Sequence, residues 1–236
     1  MGNVMSIGRR WGIGEIVVGI DAVLRYAKPG DIILFKGRGI DGCCIRFMSI
    51  NEDWSHIGIV VREFPSDPSS RLLIVEAYPT VIGPDVYRGG ARHRGVQVVD
   101  LEDRLHNYMG HLAWRPVNMT RKHPNFVKHQ ENFKKFLGNL PRPIEYVHFD
   151  FHGIKRIVEI GTASISDHDN RNMEVCNTMA AHTLWALGVI KTDELYKLDN
   201  LTLACFGSTY AQLPVRPGWQ IGDIHRIIRD WRFDEI

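Results

Sequence analysis

Two strand-like runs that flank a turn constrain the fold of this chain more than any other feature. "SHIGIVVREF" covers residues 55–64, "RLLIVEAYP" covers residues 71–79, and the Pro- and Ser-rich "PSDPSS" lies between them. β-Branched and aliphatic residues dominate both runs, whereas Pro, Ser and Asp are typical of turns. The pattern predicts an antiparallel hairpin. "DIILFKG", "GVQVVDL" and "HLAWRPV" are further strand candidates, so we expect a sheet.

This hairpin is expected to bring a histidine next to a glutamate. With the turn centred near residues 66 and 67, antiparallel pairing places His56 opposite Glu76 or close to it. Side chains at these positions share a face of the sheet, and directly opposed Cβ atoms lie about 5 Å apart. Glu76 is a carboxylate at the end of an apolar strand, and such a group needs a polar partner. The sequence therefore predicts a His56–Glu76 pair.

Helical spacing of apolar residues marks three longer segments. Residues 13–27 and 124–140 predict amphipathic helices, the first of which has its apolar side on the core or on a membrane. Residues 174–190, "EVCNTMAAHTLWALGVI", predict a buried helix with Cys176 in its first turn. Shorter elements are predicted as helices at residues 41–50 and 151–161 and as a last strand at residues 221–228.

We expect one α+β domain with two appendages. Residues 1–28 form an N-terminal amphipathic helix, residues 29–190 the core, and residues 191–236 a C-terminal extension packed on that core. The chain has 236 residues and is 44% hydrophobic, which is enough to build a core of this kind.

Composition excludes several classes of function. The net charge is +2 and no Lys/Arg run occurs, so nucleic acid is not an expected partner. No apolar run reaches the roughly 18 to 20 residues that span a bilayer. The four cysteines include no CxxC pair, which argues against a zinc site or a disulfide framework and for a reducing, cytoplasmic setting. The histidines lack ligand spacing, so neither a metal nor another cofactor is expected.

The first residues match a lipidation signal. "MGNVMS" fits the myristoylation pattern with Gly2 as the acceptor, and Arg9 and Arg10 follow closely. One acyl chain with two arginines would give only weak, reversible membrane association.

Cys176 is the candidate nucleophile. A cysteine in the first turn of a helix lies near the positive end of the helix dipole and near free backbone N–H groups, and both favour the thiolate. A thiolate nucleophile also needs a base and a group that orients the base, roles that His56 and Glu76 can fill. Spacing alone does not bring Cys176 to them. Cys43 and Cys44 are the alternative nucleophiles, but their short gap from His56 leaves no room for the usual intervening strands.

Four motifs in order carry a family resemblance: "PGDIILFKG", "WSHIGIVV", "LLIVEAYP" and "EVCNTMAAHTLWALGVI". Over roughly residues 29–190 the chain resembles the circularly permuted NlpC-type papain-like cysteine hydrolases, a family with viral members. The resemblance implies a permuted papain-like fold, with a central antiparallel sheet packed against the helix that carries the cysteine. It also implies His56 as base, Cys176 as nucleophile and Glu76 as the polar third member, with no cofactor.

The implied activity is that of a cysteine peptidase or amidase. The thiol would cleave an amide bond, in a peptide or a peptidoglycan-like substrate, or an ester bond, through an acyl-enzyme. Trp54 and Asn177 lie next to the site residues in the sequence and are expected to bind substrate. Asn177 departs from the bacterial members, which commonly have Ser followed by Glu after the nucleophile, so the substrate stays open.

Two alternatives use the same residues. The first is a lipid acyltransferase or phospholipase, which an acylated N-terminus and an amphipathic helix would suit. The second is a catalytically silent papain-like scaffold, for example an assembly component of a viral particle. Either would place the protein at a membrane or in a virion instead of free in the cytoplasm.

Overall fold

The strands and helices lie in the part of the chain that the computed structural model describes, namely residues 16–37, 54–120, 123–141, 144–146, 173–174, 176–191, 201, 203–207 and 213–229. The strands are β1 Ile16–Gly19, β2 Ile32–Gly37, β3 His56–Arg62, β4 Leu72–Tyr78, β5 Gly95–Asp100, β6 Gly110–Arg115, β7 Val117–Met119, β8 Glu145–Tyr146, β9 Met173–Glu174, β10 Trp219–Ile221 and β11 His225–Ile228. The helices are α1 Ile20–Tyr26, α2 Leu101–Asn107, α3 Phe126–Gly138, α4 Cys176–Ala186 and α5 Leu203–Gly207, with a 3-10 turn at Val86–Arg88.

A seven-stranded sheet in the order β1-β11-β6-β2-β3-β4-β5 organises the fold. All neighbouring strands in it are antiparallel except β1 and β11, which pair in parallel. The strands β7 and β10, and β8 and β9, form two small separate ladders. The fold is therefore mixed α+β with a mostly antiparallel central sheet.

Both faces of this sheet are covered by helices. On one face, here called the α2 face, α1 and α2 pack on alternate residues such as Ile33, Val60 and Ile74. On the other, the α4 face, α3 and α4 pack on the residues between them, such as Ile57 and Val75. Because β3 and β4 are buried on both faces, their sequences read as continuous apolar runs instead of an alternation.

The hairpin prediction is confirmed, with a small change in register. Gly58 lies opposite Glu76 and Val60 opposite Ile74, so the turn is centred on Asp67. Extended by two residues beyond Gly58, this register places His56 opposite Tyr78, and Glu76 becomes its diagonal neighbour on the same face. Diagonal neighbours remain within reach of long side chains.

The N-terminal helix prediction is wrong over residues 16–19. Residues 16–19, "IVVG", form β1, and only Ile20–Tyr26 are helical. Ile16 to Gly19 pair in parallel with His225 to Ile228 of β11. The β-branched residues fit a strand as well as a helix, and the backbone partner offered by β11 decides between the two.

The structure confirms several other predicted elements. The strands β5 and β6, the helices α3 and α4 and the last strand β11 lie where the sequence placed them. The predicted short helices at 41–50 and 151–161 lie outside the described residues. None of the helices in the described part of the chain is long and apolar enough to cross a bilayer.

Candidate active site

The first residue of β3 and the fifth of β4 form the centre of the site. The His56 ring nitrogen Nε2 lies 2.7 Å from Oε2 of Glu76, a buried hydrogen bond between neighbouring strands. Glu76 has no exposed surface, and His56 is 6% exposed. The predicted pair therefore exists, and it lies on the α2 face because both side chains follow the alternation of Val60 and Ile74.

A glycine makes room for this contact. Gly58 lies directly opposite Glu76, and a Cβ at this position would come within 2.8 Å of the Glu76 Cγ and 2.6 Å of the Ile74 side chain. The missing side chain lets the glutamate extend across β3 towards His56. The glycine of the "HIG" triplet at the start of β3 is therefore needed for steric reasons.

Arg104 on α2 is the second partner of the carboxylate. Its Nε donates to Oε1 of Glu76 at 2.7 Å and its Nη2 donates to Oε2 at 2.8 Å. This two-pronged geometry gives the strongest kind of arginine–carboxylate contact. Asp100 caps α2 by accepting a hydrogen bond from the Asp103 N–H. The cap fixes where the helix begins and therefore where Arg104 lies.

Aromatic rings enclose the arginine. The guanidinium carbon of Arg104 lies 4.9 Å from the ring centre of Phe35, 5.2 Å from that of Tyr78 and 5.1 Å from that of Tyr108. Rings at such distances attract a cation through their negative faces. Phe35 and Tyr78 also contact the His56 ring, at centre-to-centre distances of 5.2 and 5.0 Å. The same aromatic side chains therefore restrict both the base and the arginine.

Burial and charge act in opposite directions on these groups. Burial alone would raise the pKa of Glu76, but the Arg104 charge and the hydrogen bonds from His56 and Arg104 hold it at about 2. Burial lowers the pKa of His56 more than the Glu76 carboxylate raises it. The site therefore holds an ionised glutamate, an arginine cation and a neutral imidazole at neutral pH.

Cys176 is the first residue of α4, so it lies in the first turn as predicted, and it is 7% exposed. Its sulfur has hydrogen-bonding contacts with the backbone N–H groups of Asn177, Ile57 and Cys176 itself, which lower its pKa. Burial outweighs them and raises the pKa of the thiol to about 12. The N–H groups therefore favour the thiolate, as expected for a helix start, but the thiol stays protonated because the cost of a buried charge exceeds that gain.

The Cys176 thiol contacts the backbone of β3. Ile57, the residue after His56, belongs to the α4-face core together with Cys176. His56 instead contacts Phe35 and the α2-face core. Among the hydrogen bonds of the described residues, none joins the His56 imidazole to the Cys176 thiol. His56 and Ile57, whose N–H contacts the thiol, are thus adjacent residues at one strand end, but the imidazole lies on the α2 face and the Cys176 side chain packs on the α4 face.

The two predicted substrate-binding residues have structural contacts. The Asn177 side-chain amide donates to the backbone carbonyl of Leu201 at 2.6 Å, which ties the start of α4 to a later segment. The Trp54 indole is half-buried and packs against Gly207 of α5, where a Cβ would meet the ring. Gly2, the predicted lipidation site, lies outside the described residues, as do Cys43 and Cys44.

Arg104 is the residue that the sequence did not reveal. "DLEDRLHN" contains a capping Asp100 and a helix of seven residues, Leu101–Asn107, too short for clear periodicity. The charge of Glu76 could have pointed to Arg104, since a neutral histidine does not compensate the charge of a buried carboxylate and a cation does.

Within the described residues, no group of three His, Cys, Asp or Glu side chains converges as a metal site. A search against protein-family models gave no match, and a search of curated proteins gave none either.

Proposed function

We propose that this protein is a thiol hydrolase of the permuted papain-like type, with Cys176 as nucleophile, His56 as base and Glu76 as the group that orients His56. The buried His56–Glu76 hydrogen bond carries the proposal. The proposal is supported by a histidine that an ionised carboxylate orients, at the strand end where the Ile57 N–H contacts the Cys176 sulfur, because a thiol nucleophile needs an oriented base nearby.

The electrostatics define how such a site would start its reaction. The pKa of Cys176 is raised and that of His56 is lowered, so thiol and imidazole are both neutral at rest. His56 therefore acts as a general base that removes the thiol proton as the sulfur attacks, in contrast to a preformed thiolate–imidazolium pair. With Nε2 engaged by Glu76, the accepting nitrogen is Nδ1.

The reaction then balances through two steps. The Cys176 sulfur bonds to the carbonyl carbon while His56 takes the thiol proton, and the C–N or C–O bond breaks as His56 returns that proton to the leaving group. Water then attacks the thioester, His56 accepts a proton from the water, and the sulfur leaves as the thiol. The Ile57 and Cys176 N–H groups, which contact the sulfur, are candidate donors to the oxyanion.

The substrate is an amide or an ester. A peptide, a peptidoglycan-like amide and a lipid ester all present the same carbonyl to the thiol. The N-terminal lipidation pattern at Gly2 suits the lipid substrate, whereas the resemblance to the NlpC-type hydrolases favours the amide.

A catalytically silent scaffold is the second candidate. The raised pKa of Cys176 and the missing His56–Cys176 hydrogen bond in the described structure favour it. In that case the His56–Glu76–Arg104 network would serve only to stabilise the sheet.

Acylation by p-nitrophenyl acetate, measured by intact-protein mass spectrometry, separates the two candidates. We expect one acetyl group on the wild-type protein and none on Cys176→Ala, with acetylation of His56→Gln slowed at least tenfold. Cys205→Ser and His93→Gln are matched controls, since Cys205 is a second, half-buried cysteine and His93 bonds a carboxylate, Asp85, at 2.8 Å. Equal acetylation of wild type and His56→Gln would refute the hydrolase proposal and favour the scaffold.

A further inference from the structure

The fully buried glutamate raises the question of what keeps it ionised. Glu76 has no exposed surface, and burial by itself favours the protonated acid. A protonated carboxyl can donate a hydrogen bond, whereas a carboxylate can only accept. The charge state of Glu76 therefore decides which nitrogen of His56 carries the proton.

Arg104 is the side chain that can supply this control. It contacts both oxygens of Glu76, at 2.7 and 2.8 Å, and its side chain is only 11% exposed. Rings of β2, of β4 and of the residue after α2 enclose it. The charged and titratable groups that interact with the Arg104–Glu76 pair are His56, Tyr78, Tyr108 and, from the α4 face, Cys176. Of these four groups His56 favours the carboxylate, and Arg104 itself favours it as well.

We propose that Arg104 is a positioning residue, which keeps Glu76 an anionic acceptor and so fixes the His56 proton on Nε2, with Nδ1 left as the base. Its effect on catalysis rests on the proposed function. The tautomer of His56 is a property of the folded protein and does not depend on any reaction.

Loss of the cation would reverse the arrangement. Without Arg104, Glu76 takes up a proton from solvent, its carboxyl O–H donates a hydrogen bond to an unprotonated Nε2 of His56, and the single ring proton moves to Nδ1. That tautomer cannot accept the thiol proton. Raising the pH would ionise Glu76 again and restore the working tautomer, which is a signature that simple loss of packing does not produce.

The direct test is ¹⁵N NMR of protein labelled at histidine, with the His56 signals assigned by difference from His56→Gln. We expect Nε2–H in the wild type from pH 6 to pH 9. We expect Nδ1–H in Arg104→Gln at pH 6, changing to Nε2–H as the pH rises. Arg104→Lys retains the charge and should retain the wild-type tautomer. Arg71→Gln, which breaks the surface pair with Glu63, is the matched control and should leave His56 unchanged.

The catalytic consequence is measured by acetylation of Cys176. In Arg104→Gln we expect a rate lower by about tenfold or more at pH 6, recovering towards the wild-type rate at pH 9. In a Glu76→Gln background, Arg104→Gln should have no further effect on this pH dependence, since the arginine acts through the glutamate.

Three outcomes overturn or bound the inference. A folded Arg104→Gln protein with the wild-type tautomer at pH 6 overturns it, and Arg104 then has a packing role alone. If Arg104→Gln does not fold, ¹³C NMR of the Glu76 carboxyl in the wild type decides, and a protonated carboxyl at pH 7 overturns the inference. If His56→Gln acetylates normally, the proposed function fails, while the tautomer measurement still tests Arg104.

Discussion

Replacing Glu76 by Gln is the sharpest test of the buried network. The substitution keeps the size of the side chain and removes its charge. Arg104, whose side chain is 11% exposed, then loses the carboxylate that it pairs with in the described part of the chain. Removing one partner of a buried ion pair costs about 3 to 5 kcal/mol. The expected loss in the free energy of unfolding is therefore a large share of the roughly 5 to 15 kcal/mol of a typical domain.

The pKa of Glu76 supports a similar magnitude by a separate route. It falls from 4.5 to about 2 on folding, and one pKa unit corresponds to about 1.4 kcal/mol, so ionisation of this group contributes about 3 kcal/mol. Because the pKa is lower in the folded state, this contribution is complete above pH 4.5 and is lost as the pH falls towards 2. Glu76→Gln should lack that part of the acid destabilisation.

Glu63→Gln is the matched control. Glu63 also pairs with an arginine, Arg71, through Nε at 2.6 Å and Nη2 at 3.2 Å, but the Arg71 side chain is 51% exposed. Surface pairs contribute about 0 to 1 kcal/mol. Urea unfolding monitored by tryptophan fluorescence at pH 7 and pH 4 measures both variants. Equal, small losses for Glu76→Gln and Glu63→Gln would refute the reasoning, because burial would then make no difference to the pair.

Three further predictions concern single residues. Alkylation of Cys176 by iodoacetamide, resolved by peptide mass spectrometry, should be slow at pH 7 and rise about tenfold per pH unit to beyond pH 9, because burial raises the pKa of its thiol to about 12; a plateau near pH 7 would contradict this. Gly58→Ala should lower the free energy of unfolding by about 1 to 3 kcal/mol, since its Cβ would lie 2.8 Å from the Glu76 Cγ; a neutral effect in urea unfolding would exclude the close approach. Asp31→Asn should lower the free energy of unfolding by about 1 to 3 kcal/mol. The buried carboxylate accepts hydrogen bonds from the Trp114 indole at 2.8 Å and from backbone N–H groups on both of its oxygens, and an amide has only one oxygen that can accept them. Asp103→Asn, on the exposed side of α2, is the control in the same urea unfolding assay.

Much of the sheet could be predicted from local pattern. The hairpin of β3 and β4 needed only two β-branched runs and a turn, and the residue opposite His56 was predicted to within two positions. That accuracy sufficed to pair His56 with Glu76. It did not suffice to distinguish a direct from a diagonal neighbour, because a small shift in the turn centre moves the residue opposite His56 from Glu76 to Tyr78.

Local pattern failed where a distant strand offered a backbone partner. "IVVG" at residues 16–19 has helical spacing when taken together with residues 20–24, yet it pairs with β11 near the other end of the chain. A parallel partner more than two hundred residues away leaves no trace in a local window. The same limitation hid Arg104, whose significance depends on α2 packing over β4.

The sequence by itself determined a hairpin, a histidine at the start of its first strand, a buried carboxylate within reach of that histidine and a cysteine at the start of a buried helix. These come from periodicity, turn chemistry and the need of a buried charge for a partner. Only the tertiary structure decided which cation pairs with Glu76, how the aromatic rings restrict His56 and how far burial raises the pKa of Cys176. Those properties depend on distances and desolvation, which arise when segments remote in the chain pack together and exclude water.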